Sequence, residues 1–87
     1  MDLTALRAMR DAIAAGDVRA ADAGVSDLRV YCLGSTWYSG LRHDRWHCEL
    51  RLADDELGRP AAQGMGADVI DAIVSALDRI IEEESGE

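Results

Sequence analysis

The segment from Asp68 to Glu84 constrains the fold more than any other part of this 87-residue chain. At about 100° per residue, its apolar side chains fall on one broad side of a helix. These residues are Val69, Ile70, Ile73, Val74, Ala76, Leu77, Ile80 and Ile81. The opposite side carries Asp68, Asp71, Ser75, Asp78 and Glu82. A helix of this kind has to cover another apolar surface, which the rest of the chain must supply.

An alternating pattern in the middle of the chain predicts that surface. Residues 45–52 form the clearest strand, since apolar and polar residues alternate along it. Its apolar side carries Trp46, Cys48, Leu50 and Leu52. Residues 28–33 alternate in the same way, with Leu28, Val30 and Cys32 on one side. Both strands therefore have one face to bury and one face that can meet water.

Two short polar stretches predict how the strands are joined. The Gly-Ser pair at 34–35 suits a tight hairpin turn, so residues 36–40 become a second strand that carries Trp37 and Tyr38. The polar residues 42–44 then predict the next turn. A longer two-stranded hairpin, with residues 36–40 partly in its loop, is the alternative. The sequence therefore predicts two or three antiparallel strands.

Helical spacing is also present at the start of the chain. Residues 3–15 predict a helix, with Asp2 as its N-cap and Gly16 at its C-terminal cap. The apolar residues of this helix are Leu3, Leu6, Met9 and Ile13. Residues 18–23 fit either another turn of helix or a linker. The opening of the chain therefore offers a second apolar helix face for the core.

Glycine and proline dominate the connection between the last strand and the last helix. Residues 54–66 are predicted as a loop, and we interpret Gly64 and Gly66 as turn and helix-entry residues. A Gly-Met-Gly run before a helix is also typical of phosphate-binding loops. Here Asp68 places a negative charge where a phosphate would bind, so we do not expect such a site.

Together these elements predict an α+β fold with four parts. They are an N-terminal helix, a two- or three-stranded antiparallel meander, a loop, and a long amphipathic C-terminal helix packed on one sheet face. We expect residues 1–87 to form a single small domain, since chains divide only well beyond this length. Residues 84–87 are expected to be a frayed acidic tail.

Charge is distributed unevenly along the chain. The formal net charge is −8, from 17 acids and nine bases. Residues 1–52 hold seven acids and seven arginines, whereas residues 53–87 hold ten acids and two arginines. A chain with this balance is not a generic nucleic-acid-binding protein, because such proteins need clustered Lys or Arg against phosphates. The acidic half of the chain therefore indicates a partner with a basic surface.

Acidic residues recur along the C-terminal helix, and we predict that they bind a partner. The residues in question are Asp68, Asp71, Asp78, Glu82 and Glu83. Carboxylates spaced by three or four residues repeat every ~4.5 to 6 Å along a helix, which approaches the spacing of backbone phosphates. Glu82 and Glu83 also lie near the helix C-terminus, where the macrodipole disfavours negative charge. The alternative is an ordinary solvated face that keeps the protein soluble.

Trp37 and Tyr38 are the second candidate binding site. Adjacent strand residues point to opposite faces, so at least one of the two rings should be partly exposed. Trp and Tyr are favoured anchors of protein interfaces, and Arg42, His43 and Arg45 lie close in sequence. The alternative is an aromatic ring folded over the sheet edge. Trp46 is assigned instead to the core.

No residue pattern predicts a metal site. Cys32, Cys48, His43 and His47 are zinc-ligand types, but His47 and Cys48 are adjacent in a strand and so point apart. We expect Cys32 and Cys48 to be buried free thiols on the covered face, with a disulfide as the alternative. The acids at 54–56 lack the spacing of a calcium-binding loop, so we interpret them as loop polarity.

In overall layout the chain resembles small phage- or prophage-encoded proteins, especially anti-CRISPR inhibitors. The features that carry the resemblance are the opening Leu3-Thr-Ala-Leu-Arg-Ala-Met-Arg-Asp-Ala-Ile helix, the short meander and the acidic helix over 68–84. The resemblance implies a non-enzymatic protein that occupies a basic nucleic-acid-binding surface of a CRISPR effector, often by imitating the charge of DNA. The neutral first half differs from uniformly acidic mimics, so docking through the hairpin is a rival to mimicry.

The expected function is therefore that of an acidic inhibitor or binding protein. We find no nucleophile and base in a suitable arrangement, no metal spacing and no cofactor loop, so we expect neither an enzyme nor a bound cofactor. A basic protein surface is the expected partner, with no direct nucleic-acid binding. No apolar run approaches the ~18 to 20 residues of a membrane span, and we expect a cytoplasmic protein of a bacterial host. The alternative is a small homodimeric structural or assembly protein.

Overall fold

A helix begins the chain in the computed structural model, which describes residues 2–54 and 60–86. Helix α1 spans Leu3–Ala14, and the carboxylate of Asp2 caps it by accepting a hydrogen bond from the backbone N–H of Ala5 at 2.8 Å. Its buried side chains are Leu6, Met9 and Ile13. Residues Val18–Ala23 then form a short 3₁₀ helix rather than a linker.

Strands β1 (Val25–Tyr38) and β2 (Leu41–Leu52) form one long antiparallel hairpin. The chain reverses at Ser39 and Gly40, which both have positive φ, at 52° and 74°. Two positive φ values define a type I′ turn, whose twist matches that of the two strands. The turns predicted at 34–35 and 42–44 are therefore wrong, since both segments lie inside strands.

A bulge explains why the glycine at 34 does not end its strand. Cys32 lies opposite Trp46 and Gly34 lies opposite Arg45, so Leu33 is an extra residue in β1. Gly34 has a φ of +154°, which residues with a β-carbon rarely adopt. A bulge bends and twists a strand without ending it. Gly34 therefore allows the bulge to form within β1, and the strand continues to Tyr38.

Strand β3 (Ala62–Gly66) pairs antiparallel with β2, and the strand order is β1-β2-β3. The predicted loop over 54–66 is wrong for this part of the chain, and Gly64 and Gly66 are not turn residues. A β-carbon on Gly64 would collide with the backbone nitrogen of Ala76, and one on Gly66 with the side chain of Asp71. The two glycines therefore let the next helix lie directly against the strand.

Helix α2 spans Val69–Glu84 and packs against β3 and β2. Asp68 is its N-cap, accepting a hydrogen bond from the backbone N–H of Asp71 at 2.8 Å. Its buried residues are Ala72, Ile73, Ala76, Leu77, Ile80 and Ile81. These side chains meet Cys48 and Leu50 of β2 and the apolar side of α1 in one hydrophobic cluster. The predicted α+β fold is confirmed, with three antiparallel strands.

The hairpin extends well beyond the helices that cover its base. We call residues 33–45 the arm and the rest of the described chain the body. Every residue of the arm is exposed except His43 and Asp44, which are half-buried. The overall dimensions are 43 × 28 × 26 Å, and the radius of gyration of 13.6 Å exceeds the roughly 12 Å typical of 87 residues. In the described chain no helix is long and apolar enough to cross a membrane.

Candidate functional site

Three of the five predicted acidic residues lie exposed on helix α2. They are Asp71, Glu82 and Glu83, and we call them the acidic face. At ~1.5 Å rise per residue, Asp71 and Glu82 are about 16 Å apart along the axis. The opposite side of α2 is buried in the core, so the helix cannot turn these carboxylates inward. At about 100° per residue, Asp71 and Glu82 lie on the same side of the helix and Glu83 lies about 100° further round, so the acidic face is a broad negative surface on a fixed backbone.

The other two acids, Asp68 and Asp78, already have partners within the protein. Asp68 caps its own helix, as described above. Asp78 is half-buried and accepts a hydrogen bond from Arg10 Nη1 at 2.9 Å, which links α2 to α1. This bond, and then a second one to Asp11, raises the pKa of Arg10 above its usual value. Asp78 therefore offers less free charge to a partner than the acidic face does.

Arg10 is a residue that sequence reasoning missed. It stands 68 positions before Asp78, and no local pattern connects two residues so far apart. Its neighbour Asp11 does provide a local partner, at 3.0 Å from Nη2. The charge of Asp78 is thus compensated by a residue from the neutral half of the chain.

Both aromatic residues at the end of β1 are exposed. Trp37 retains 69% of its accessible surface and Tyr38 retains 61%. Sequence alternation required only one of them to be exposed, and neither ring folds into the core. Leu41, which lies opposite Tyr38, is 63% exposed. Tyr38 and Leu41 therefore form an exposed apolar pair on one face of the arm, and Trp37 is exposed on the opposite face.

The ring of Tyr38 stacks on His43, which holds one side of the arm in place. The two ring centroids are 4.0 Å apart, and the planes are inclined by only 10°. Among the described residues, His43 Nε2 is the one buried side-chain nitrogen or oxygen that has no hydrogen-bond partner. The stacking orders Tyr38 in the free protein, and an ordered aromatic ring loses less conformational entropy when a partner binds.

Ser35 and Asp44 on the arm bind the guanidinium group of Arg42. Arg42 Nε donates hydrogen bonds to Asp44 Oδ1 at 2.8 Å and to Ser35 Oγ at 3.2 Å. The hydroxyl of Ser35 also donates to Asp44, and this bond, followed by the one from Arg42, lowers the pKa of the Asp44 carboxyl. Because Arg42 is engaged in this way, its charge is partly compensated within the arm.

The outer face of the sheet carries further exposed residues that the sequence analysis did not select. Tyr31 and His47 lie opposite each other with ring centroids 5.2 Å apart, and Met65 lies opposite His47 on the other side. Tyr31, Leu33 and Met65 are all substantially exposed. Strand alternation had already placed Tyr31 and Leu33 on the wet face, and that signal could have identified them.

The two cysteines occupy different environments. Cys48 is buried in the core, as expected, and burial raises the pKa of its thiol to about 11. Cys32 was expected on the covered face but is exposed, because the helices do not extend over that part of β1. Both are free thiols, so the alternative of a disulfide between them is wrong.

Metal chemistry finds no support in the described residues. Within residues 2–54 and 60–86, no group of three His, Cys, Asp or Glu side chains is placed to bind an ion. Of the acids at 54–56, two lie outside the described residues, so that prediction stays open. A buried thiol with a raised pKa is largely protonated at neutral pH and is a poor nucleophile.

Comparison with known proteins identifies no relative. No family model, no curated protein and no solved structure matches this chain. Functional inference therefore depends on the two surfaces described above. One is the acidic face of α2, and the other is the set of exposed large side chains at the end of the arm.

Proposed function

We propose that this protein is a non-enzymatic binding protein whose acidic face docks on a basic surface of a partner protein and blocks it. The observation that carries the proposal is the rigid display of Asp71, Glu82 and Glu83 on a helix whose other side is buried. Because the helix is already folded, its backbone needs no further ordering when the partner arrives, which lowers the entropic cost of association.

Electrostatics supports this mode of binding. Complementary potentials speed encounter between proteins, and the effect weakens as salt screens the charges. Ten of the 17 acids lie in the last 35 residues, so one part of the protein carries the whole net charge. Binding should therefore be fast at low ionic strength and clearly salt-dependent.

The class of partner follows from the chemistry of the acidic face. Proteins that bind nucleic acids display clustered Lys and Arg against phosphates, and a row of carboxylates can occupy such a surface. The resemblance to anti-CRISPR inhibitors directs the proposal to a CRISPR effector complex in the cytoplasm of a bacterial host. Trp37 and Tyr38 supply a second contact, because large aromatic side chains are effective interface anchors.

The test compares two triple variants that change net charge equally. The first, Asp71→Asn/Glu82→Gln/Glu83→Gln, removes the acidic face while sparing Asp68 and Asp78. The control, Asp17→Asn/Asp22→Asn/Asp27→Asn, removes three exposed acids elsewhere. Binding of each to a purified, guide-loaded CRISPR effector complex is measured by biolayer interferometry at two salt concentrations.

We expect the first variant to lose at least tenfold in affinity, about 1.4 kcal/mol, and most of its salt dependence. The control should change affinity by less than twofold. An unchanged affinity in the first variant would refute docking through the acidic face. A wild-type protein that fails to bind effector complexes would refute the choice of partner.

A homodimeric assembly protein is the second candidate function. One observation favours it: within the described residues, β1 has a neighbouring strand on one side only.

A further inference from the structure

Strand β1 is a long and open sheet edge. It is 14 residues in length, and in the described chain only β2 pairs with it. Apart from Val25 and Val30, which are half-buried, every residue of β1 is exposed. The backbone N–H and C=O groups on the outer side of such a strand are available to another strand.

The usual protection of an edge strand is weak here. Natural edges are commonly short, bulged, or interrupted by proline, lysine or other charges. Residues 30–38, by contrast, read Val-Tyr-Cys-Leu-Gly-Ser-Thr-Trp-Tyr, with no charge and no proline. Most of these residue types favour strands. The bulge at Leu33 is the one irregularity in this stretch.

The accessible surface of the protein is larger than that of a compact monomer of this mass. It measures 5713 Å², against about 5000 Å² expected for 9.4 kDa, an excess of roughly 700 Å². A stable protein interface buries about 800 Å² on each partner. The excess reflects the protruding arm, and it is comparable in size to one half of a dimer interface.

We propose that β1 pairs antiparallel with β1 of a second copy, around a twofold axis close to Cys32. Such an interface is isologous and closes as a dimer, and it joins two three-stranded sheets into one of six strands. The second copy suits this edge because β1 carries only two charges, on Asp27 and Arg29, both in its first half.

Charge and geometry both favour this register. With the axis near Cys32, Asp27 and Arg29 lie opposite the uncharged residues 35–37 of the second copy, so no like charges face each other. The pairing also covers Leu33, which is now half exposed. Directly opposite residues of antiparallel strands have Cα atoms about 4.5 to 5.5 Å apart, a distance that a disulfide can span.

The dimer leaves the acidic face open. Helix α2 packs chiefly on β3 and β2, while the pairing edge is β1, at the far side of the sheet. Each dimer would thus present two acidic faces. This inference does not depend on the inhibitory function, since it derives from the sheet edge alone.

The first test measures mass by sedimentation equilibrium between 1 and 100 µM. We expect a dimer of about twice 9.4 kDa for the wild-type chain. Leu33→Lys places two like charges near the axis and should weaken the dimer at least tenfold. Leu41→Lys is the matched control, because Leu41 is also well exposed, at 63% against 50% for Leu33, but lies on β2 rather than on the edge. Circular dichroism verifies that both variants fold.

The second test checks the register through mild oxidation. Because Cys32 is exposed and Cys48 is buried, a cross-linked dimer should form through Cys32 and disappear in Cys32→Ser. A wild-type monomer at 100 µM would overturn the proposal, as would a dimer that Leu33→Lys leaves intact. A dimer that never cross-links would overturn the register. Retained effector binding by monomeric Leu33→Lys would leave the inhibitory function standing.

Discussion

The body and the arm use the same two strands in different ways. In the body, β2 buries Cys48, Leu50 and Leu52 under the helices. In the arm, the same strand runs from Leu41 to Arg45 with no buried residue. The body is held together by apolar burial, whereas the arm is held by strand pairing, a type I′ turn and local side-chain contacts. Buried and exposed apolar side chains are thus separated along one hairpin.

Because of this separation, the unfolding free energy lost on substituting a residue depends on its region as well as on its type. A leucine in the body fills space that water cannot enter, so its loss leaves a cavity. A leucine in the arm is already in contact with water. The loss of unfolding free energy on substituting the same residue type in each region therefore shows which positions belong to the core.

The largest effect is expected where helix and strand are in direct contact. Gly64→Ala forces a β-carbon into the backbone of α2 at Ala76, so we expect a loss of about 3 kcal/mol or more in the free energy of unfolding. Gly40→Asn, in the turn of the arm, keeps a residue that tolerates positive φ and should cost less than ~1 kcal/mol. Urea unfolding followed by circular dichroism measures both. Equal losses would contradict the division into body and arm.

Two leucines of β2 give the second comparison. Leu50 is completely buried and Leu41 is 63% exposed, although both belong to the same strand. Leu50→Ala should lower the free energy of unfolding by about 3 kcal/mol, and Leu41→Ala by less than ~0.5 kcal/mol. A large loss for Leu41→Ala in chemical denaturation would mean that the arm has a core of its own.

The two cysteines give a third comparison, which depends on pH. The pKa of Cys48 is raised from its ordinary value of 9.0 to about 11, so the folded state holds a proton that the unfolded state releases between these values. Stability is therefore complete below pH 9 and falls as pH rises towards 11, by about 2 to 3 kcal/mol. Denaturant titrations at pH 8, 9, 10 and 11 measure this slope.

Controls for the cysteine prediction come from the exposed thiol. Cys48→Ala should abolish the alkaline slope, whereas Cys32→Ala should leave it unchanged. At pH 8 a thiol reagent should modify Cys32 quickly in the native protein and Cys48 only after unfolding. Rapid modification of Cys48 would show that the base of the hairpin opens readily.

Both helices were predictable from the sequence because their signals are local. For α2, the apolar periodicity placed the helix over 68–84, within one residue of its observed start. For α1, the cap at Asp2 and the buried residues were also correct. The strand over 45–52 alternates clearly, and it is the part of the hairpin that lies in the body.

The ends of the strands were not predictable, because they depend on tertiary contacts. Two pairs, Gly34-Ser35 and Ser39-Gly40, have similar turn chemistry, and sequence alone does not choose between them. Strand β3 was missed because glycines are rare within strands. Its glycines make sense only once α2 is known to lie against them.

Part of the candidate site was predictable, because helical spacing is a local signal. Helical spacing placed Asp71 and Glu82 on the exposed side, which depends only on local geometry. The bond between Asp78 and Arg10 depends on how α1 packs on α2, which no spacing reveals. The exposure of Cys32 likewise depends on where the helices stop.

The contact between the glycines of β3 and α2 has a mechanical consequence. Packed helices usually slide on one another through small rearrangements of interlocking side chains. No side chain separates Gly64 from the backbone of α2, so the helix and the strand cannot shift by rearranging side chains at this junction. Since β3 is hydrogen-bonded to β2, we expect α2, β3 and the base of the hairpin to move as one rigid unit.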